Sequence, residues 1–125
     1  MFRRICTFAL IIAASACVAT EPVSVSPAPL SPSDLALAEG YIRETLRDPD
    51  GARFRRPEGF RTGQGDRIVC GEYNATNGFG GYVGYTPYYI RIRGDFVDIA
   101  HFGNGLGAVG CDKARSGEVQ VAVSG

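Results

Sequence analysis

The sequence predicts an α+β domain: one N-terminal amphipathic helix packed on a small antiparallel sheet, closed by one disulfide. Three observations carry this expectation. Leu35, Ala38, Tyr41, Ile42, Thr45 and Leu46 recur at the spacing of a helix with one apolar face. Tyr88 to Phe102 alternates around Gly94-Asp95, a two-residue turn with glycine first, as a hairpin requires. Cys70 and Cys111 are the two cysteines that fall within the globular part.

The chain opens with Met1-Phe2-Arg3-Arg4, then an apolar run from Ile5 to Ala14, then Ala14-Ser15-Ala16-Cys17. Charged, apolar and small segments in that order read as a bacterial export signal over residues 1–16. The run is too short to span a bilayer, which needs about 20 residues. Ala14-Ser15-Ala16-Cys17 resembles a lipobox, with Ala14 where Leu is usual, and makes Cys17 the lipidated first residue of the mature chain. The same stretch also fits ordinary cleavage after Ala16 or Ala19 and a soluble periplasmic or secreted product. The neighbouring segment favours the lipid. Residues 17–33 are rich in Pro and Ser and lack aromatics, as in a semi-extended stalk that builds no core. Val18 rather than Asp after the cysteine favours an outer-membrane address over the inner membrane.

Cys6 leaves with the signal. If Cys17 takes lipid, Cys70 and Cys111 are left as a pair in an oxidising compartment, hence a disulfide. Closing that loop constrains the unfolded chain by roughly 4 kcal/mol on the chain-entropy argument. Two distant cysteines and a single histidine lack zinc-ligand spacing, and no metal or cofactor is expected.

Residues 34–115 then form a single globular domain, and 116–125 a C-terminal tail. Ser31-Pro32-Ser33-Asp34 is a helix start, with a Ser cap, an early Pro and an acid at the positive end of the dipole. Gly40 suggests close packing on that helix. Asp48-Pro49-Asp50-Gly51 ends it in a turn. A short strand is expected from Ala52 to Arg56, and a second from Arg67 to Tyr73 with Ile68 and Cys70 inward. In the hairpin, the turn pairs Arg93 with Phe96, Ile92 with Val97, Arg91 with Asp98, Ile90 with Ile99, and Tyr88 with His101. Ile90, Ile92, Val97 and Ile99 then face the core, and Arg91 and Asp98 form an exposed pair.

Most familiar chemistry is disfavoured. The formal net charge is zero, with 13 basic and 13 acidic residues, so no global field recruits nucleic acid. Arg53, Arg55, Arg56, Arg61 and Arg67 are interleaved with Glu58 and Asp66 and read as a solvated strand face. Serines of the mature chain lie only in the stalk and tail, where nothing fixes a nucleophile beside a base. His101 stands alone. GFGGYVG has Val83 where a phosphate-binding loop needs glycine. Arg93-Gly94-Asp95 is accounted for by the turn, and the glycosylation triplet Asn74-Ala75-Thr76 carries no meaning in a bacterial export product. Glu58, Asp66, Glu72, Asp95 and Asp98 leave open a small glycan hydrolase built on paired carboxylates.

The distinctive region is Asn74–Tyr89. Five of the 6 tyrosines fall between 73 and 89, among glycines 78, 80, 81 and 84. Tyr73, Asn74, Asn77, Phe79, Tyr82 and Tyr85 are the candidate binding residues, of a kind suited to stacking on a sugar or anchoring a protein. The stretches Leu46–Phe54 and Val69–Tyr85 together resemble a group of small exported bacterial proteins and lipoproteins. These share roughly D-P-x-S-A-x-F followed by C-G-x-x-N-x-x-N-x-x-G-G-Y-x-G, with Gly51 here in the serine position. The resemblance implies an exported single domain and supplies no activity. The expected function is a non-enzymatic cell-envelope lipoprotein, a binding or structural module held to the membrane by its lipid. An inhibitor of an envelope enzyme is the alternative beside the hydrolase.

Overall fold

A computed structural model describes residues 19–122. The signal segment 1–16 and Cys17 lie outside the described residues. Six strands form one curled antiparallel sheet: β1 (Thr20–Pro27), β2 (Arg53–Thr62), β3 (Arg67–Asn74), β4 (Thr86–Arg93), β5 (Phe96–Phe102) and β6 (Glu118–Ala122). Their spatial order is β5-β4-β3-β2-β1-β6. Helix α1 (Pro32–Glu44) covers one face and helix α2 (Ala108–Ser116) the other. None of the described helices is long and apolar enough to cross a membrane.

The α+β class and the Cys70–Cys111 disulfide are as expected, the latter with Cα atoms 5.9 Å apart. The helix is not N-terminal, and a second helix accompanies it. A strand precedes it, drawn from the expected stalk. Val23 and Val25 are buried and alternate with exposed Ser24 and Ser26, the period of two that a half-buried strand needs. Pro22 and Pro27 flank that core and mask it in the sequence. The expected tail likewise supplies β6, where Val119 and Val121 are buried. β1 and β6 pair from Thr20↔Ala122 to Ser24↔Glu118, with Val23 opposite Val119. Each fully buried valine contributes about 1.5–3 kcal/mol relative to exposure.

α1 begins as its sequence dictates. Ser31 Oγ accepts from the Asp34 N–H at 3.1 Å. Asp34 takes two hydrogen bonds from Arg67, at 2.7 and 2.9 Å, which ties the first turn to β3. Ala38 and Ile42 are fully buried against Val69, Tyr88, Ile90 and Ile92, with Leu35 and Leu46 packed at the margin. Tyr41, expected on the same stripe, is 37% exposed, and no atom would meet a Cβ at Gly40, so that glycine is not a packing contact. The Asp48–Gly51 turn forms as expected, with the Gly51 N–H reaching the Asp48 carbonyl.

β2 is twice the expected length. It passes Pro57 through a bulge between Arg55 and Glu58, where Arg56 takes φ 54°. A bulge is where a strand tolerates proline. β3 is buried on both faces, with Val69 toward α1 and Ile68 and Cys70 toward α2. Gly71 leaves room for the Tyr88 ring, whose hydroxyl would lie 2.6 Å from a Cβ there.

The β4–β5 turn is as expected, with Gly94 at φ 61°. The register is right for Arg93↔Phe96 and Ile92↔Val97 and then changes. Asp98 is an extra residue in a bulge, so Arg91 pairs with Ile99, Ile90 with Ala100, Tyr89 with His101 and Tyr88 with Phe102. The bulge corrects the face assignment. Ile90 and Ile92 are buried and Val97 half-buried on the α1 side, but Ile99 packs on the α2 side.

Arg91 is buried, not exposed. It reaches Asp98 at 2.8 Å and Asp66 at 4.0 Å, and Arg93 bonds Asp66 at 3.0 Å. Without Arg91, Asp98 loses both hydrogen bonds it accepts and keeps only a 3.6 Å contact to Arg93, while Asp66 stays paired with Arg93. Arg91→Ala is therefore expected to cost about 3 kcal/mol, the low end for a broken buried pair, within the range of about 2–5 kcal/mol for the cavity left by Ile92→Ala. Urea unfolding midpoints check this. An Arg91→Ala midpoint equal to wild type would contradict the buried pairing.

Candidate functional site

The segment between β3 and β4 is a stapled loop. Asn74 ends β3, and its Oδ1 accepts from the Gly84 N–H at 3.0 Å. Asn77 Oδ1 accepts from the N–H groups of Phe79 (2.9 Å) and Gly81 (3.1 Å), while its own N–H donates to the Gly81 carbonyl at 2.8 Å. A short bridge joins Thr76 to Tyr82. These bonds satisfy backbone donors that a loop would otherwise leave to water. Both asparagine acceptors are thus used to shape the loop rather than presented to a ligand.

A second set of contacts holds the loop to the segment after α1 and to β2. The Tyr82 hydroxyl donates to the Gly51 carbonyl at 2.9 Å, and Thr76 Oγ1 bonds Asp48 at 3.1 Å. The Arg53 guanidinium lies 4.2 Å from the Tyr82 ring centroid, and that of Arg55 lies 3.6 Å from Tyr85. Such cation–π contacts contribute about 0.5–1 kcal/mol each at exposed sites. Glu72 orients Arg55 in turn, accepting from it at 3.0 Å, and also holds Arg56 at 3.3 Å. The Arg55 hydrogen bond is the main reason the Glu72 carboxyl titrates below the ordinary carboxylate range.

The six candidate residues therefore divide. Tyr73 packs inward, edge-on to Phe102 at 5.9 Å, and burial raises its hydroxyl pKa. Asn74 is buried. Asn77 is exposed but engaged in the turn. Tyr82 and Tyr85 keep part of their surface open beside the arginines. Phe79 is wholly exposed at the loop tip, and Val83 is 66% exposed near it. Arg53 and Arg55, read from sequence as a solvated face, are the residues that were missed. Their spacing of two puts both on one face of β2, the signal that would have paired them with neighbouring aromatics.

The carboxylates expected of a hydrolase are mostly tied to arginines. Glu58 bonds Arg115 at 2.7 Å, Asp66 bonds Arg93, Asp98 bonds Arg91, and Glu72 bonds Arg55 and Arg56. Glu58 and Glu72 share a cleft of about 340 Å³ with Asp112, Arg56 and Arg115. A general acid in such a pair needs a raised pKa, and that of Glu72 is lowered. In the Arg93-Gly94-Asp95 tip, Arg93 is held by Asp66 and the Gly94 carbonyl accepts from Arg67 at 2.7 Å.

Comparison with family models, with curated proteins and with solved structures finds no match to this chain.

The loop's fastening is expected to be acid-sensitive. Because Glu72 titrates below its unfolded value of about 4.3, its stabilising contribution is complete above that value and is lost as pH falls through the lower folded one. Protonation then releases Arg55, and with it Tyr85. Acid titration followed through the Tyr85 ring resonances should show this change. Glu72→Gln should show a loosened Tyr85 already at neutral pH and a flatter acid limb. A Tyr85 signal unchanged by both acid and mutation would refute the link.

Proposed function

We propose that this chain is a cell-envelope lipoprotein, anchored through Cys17, that recognises an envelope protein with the Phe79 loop and catalyses no reaction. One observation carries the recognition role: a fully exposed phenylalanine stands at the tip of a loop whose backbone is already fixed. An exposed aromatic ring gains most on burial in a partner's pocket. A pre-shaped loop loses little conformational freedom when it binds. Val83 and the open parts of Tyr82 and Tyr85 supply the surround. A protein pocket suits this surface better than a sugar, because the asparagine acceptors that would meet hydroxyls are occupied within the loop.

The anchor and the envelope address rest on the lipobox-like Ala14-Ser15-Ala16-Cys17, on Val18 after it, and on the resemblance to exported lipoproteins. The short distance from Cys17 to β1 alters the picture of a tether: the domain would sit close to its membrane rather than at the end of a stalk. An inhibitor of an envelope enzyme is the second reading. It is favoured by the same geometry, since a single rigid loop with an apolar tip is shaped to enter an active-site cleft.

Two experiments test these readings. Phe79→Ala should leave stability within about 0.5 kcal/mol of wild type and weaken partner binding by about 2 kcal/mol or more. A photo-crosslinking phenylalanine analogue at position 79, introduced in living cells, should give a discrete adduct. An adduct pattern no different from that of the same analogue at Tyr41 would overturn the assignment. For the anchor, a palmitate analogue should label the exported chain, and Cys17→Ser should abolish the label. Label kept in that variant, or absent from wild type, would exclude lipidation at Cys17.

A further inference from the structure

On the α2 side of the sheet, β1, β6, α2 and the β4–β5 hairpin converge on a half-open cavity of about 310 Å³. Ile99, Val119 and the Tyr89 ring wall it, and Leu106 and Val109 stand on it 66% and 48% exposed. Its titratable linings other than Tyr89 are Arg91, His101 and Lys113, with no carboxylate among them. Arg91 is already neutralised by Asp98, and the His101 ring lies against Tyr89 at 5.9 Å. Lys113 is exposed and makes no ion pair among the described residues. Among the described residues the surface is thus apolar, with one cation that no carboxylate of the lining pairs.

Thr20 lines this same cavity. It is the first residue of β1 and only three positions from Cys17. Whatever path the intervening residues take, three residues span at most about 11 Å. A lipid on Cys17 would therefore hold the bilayer within reach of this surface.

We propose that this face rests on the membrane, with Leu106 and Val109 entering the interfacial layer and Lys113 pairing with the phosphate of an anionic phospholipid. The proposal depends on the reading of Cys17 as the lipid attachment. Apolar side chains beside a basic one are the composition of surfaces that lie in the headgroup region, and lysine close to an anionic leaflet adds to the attraction. Docking of this kind would supply a second membrane contact beside the lipid and fix how the domain sits on its anchor.

The chain contains no tryptophan, so Leu106→Trp introduces a single fluorophore at an exposed position. The exported full chain carrying it is bound to vesicles of phosphatidylethanolamine and phosphatidylglycerol brominated near the headgroup, and its acylation is read independently by mass. A blue shift and loss of Trp emission are expected at position 106. Tyr41→Trp, on the helix that covers the opposite face, should keep its emission. Lys113→Glu in the Leu106→Trp background should reduce the quenching on phosphatidylglycerol vesicles and leave it unchanged on phosphatidylethanolamine alone. An acylated, vesicle-bound chain with no quenching at 106, or with equal quenching at 41, overturns the docking while leaving the anchor intact. An unmodified mass refutes the anchor; the docking then falls too unless the unacylated chain still shows quenching at 106. A concentration-dependent dimer in the absence of lipid, lost in Leu106→Asp, would assign the face to a second copy instead.

Discussion

The Cys70–Cys111 bond is the constraint on which the rest of the arrangement depends. It ties α2 to the middle of β3, the strand buried on both faces. α2 is short, with only Cys111 and Ala114 fully buried, and by itself such a helix would be marginal. Fixed in place, it offers a ridge around which β1 and β6 wrap, so that Val23, Val25, Val119 and Val121 join Phe60, Ile68 and Tyr89 in one cluster. The opposite face needs no such bond. There α1 is the longer helix and is held by Ala38 and Ile42 over a floor of aromatic and β-branched side chains.

What was legible in the sequence was local. The Ser31 cap, the Asp48–Gly51 turn, the Gly94-Asp95 tip and the cysteine pair each announce themselves within a few residues or by elimination. β1 and β6 did not, because each is a short alternating segment whose longest pairing is with the other, at the far end of the chain. Pro22 and Pro27, on either side of the Val23–Ser26 alternation, made β1 look like a tether. The bulge at Asp98 was equally hidden. Simple alternation gave every isoleucine of the hairpin one face, and only a tertiary reason, the buried partnership of Arg91 with Asp98 and Asp66, explains why the extra residue is there.

The candidate site was half legible for a related reason. Glycines among aromatics marked the loop, and Phe79 sits at its tip as an exposed residue. The division of labour within the loop depends on atoms outside it. Arg53 and Arg55 cover tyrosine faces, and the Gly51 carbonyl takes the Tyr82 hydroxyl. Those arginines carry no motif of their own. Their role follows from β2 pairing with β3 in the register Arg53↔Asn74 and Arg55↔Glu72, which sets both beside the start of the loop.

The unequal lengths of strand pairing have a mechanical consequence. β1 matches β6 at five register positions, from Thr20↔Ala122 to Ser24↔Glu118, but meets β2 at only three, from Val25↔Thr62 to Pro27↔Phe60. Were the chain held near Thr20 and gripped at Phe79, as proposed above, tension would act between those two points. The pull would run along β1 and cross to the remainder of the sheet at that narrow seam, with the valine packing on α2 as its main reinforcement. Even with the flanking Gly63–Ser24 and Ala28–Gly59 backbone hydrogen bonds, that seam is the shorter of the two, so under such a load the β1–β6 ribbon would tend to swing away from the sheet as one piece.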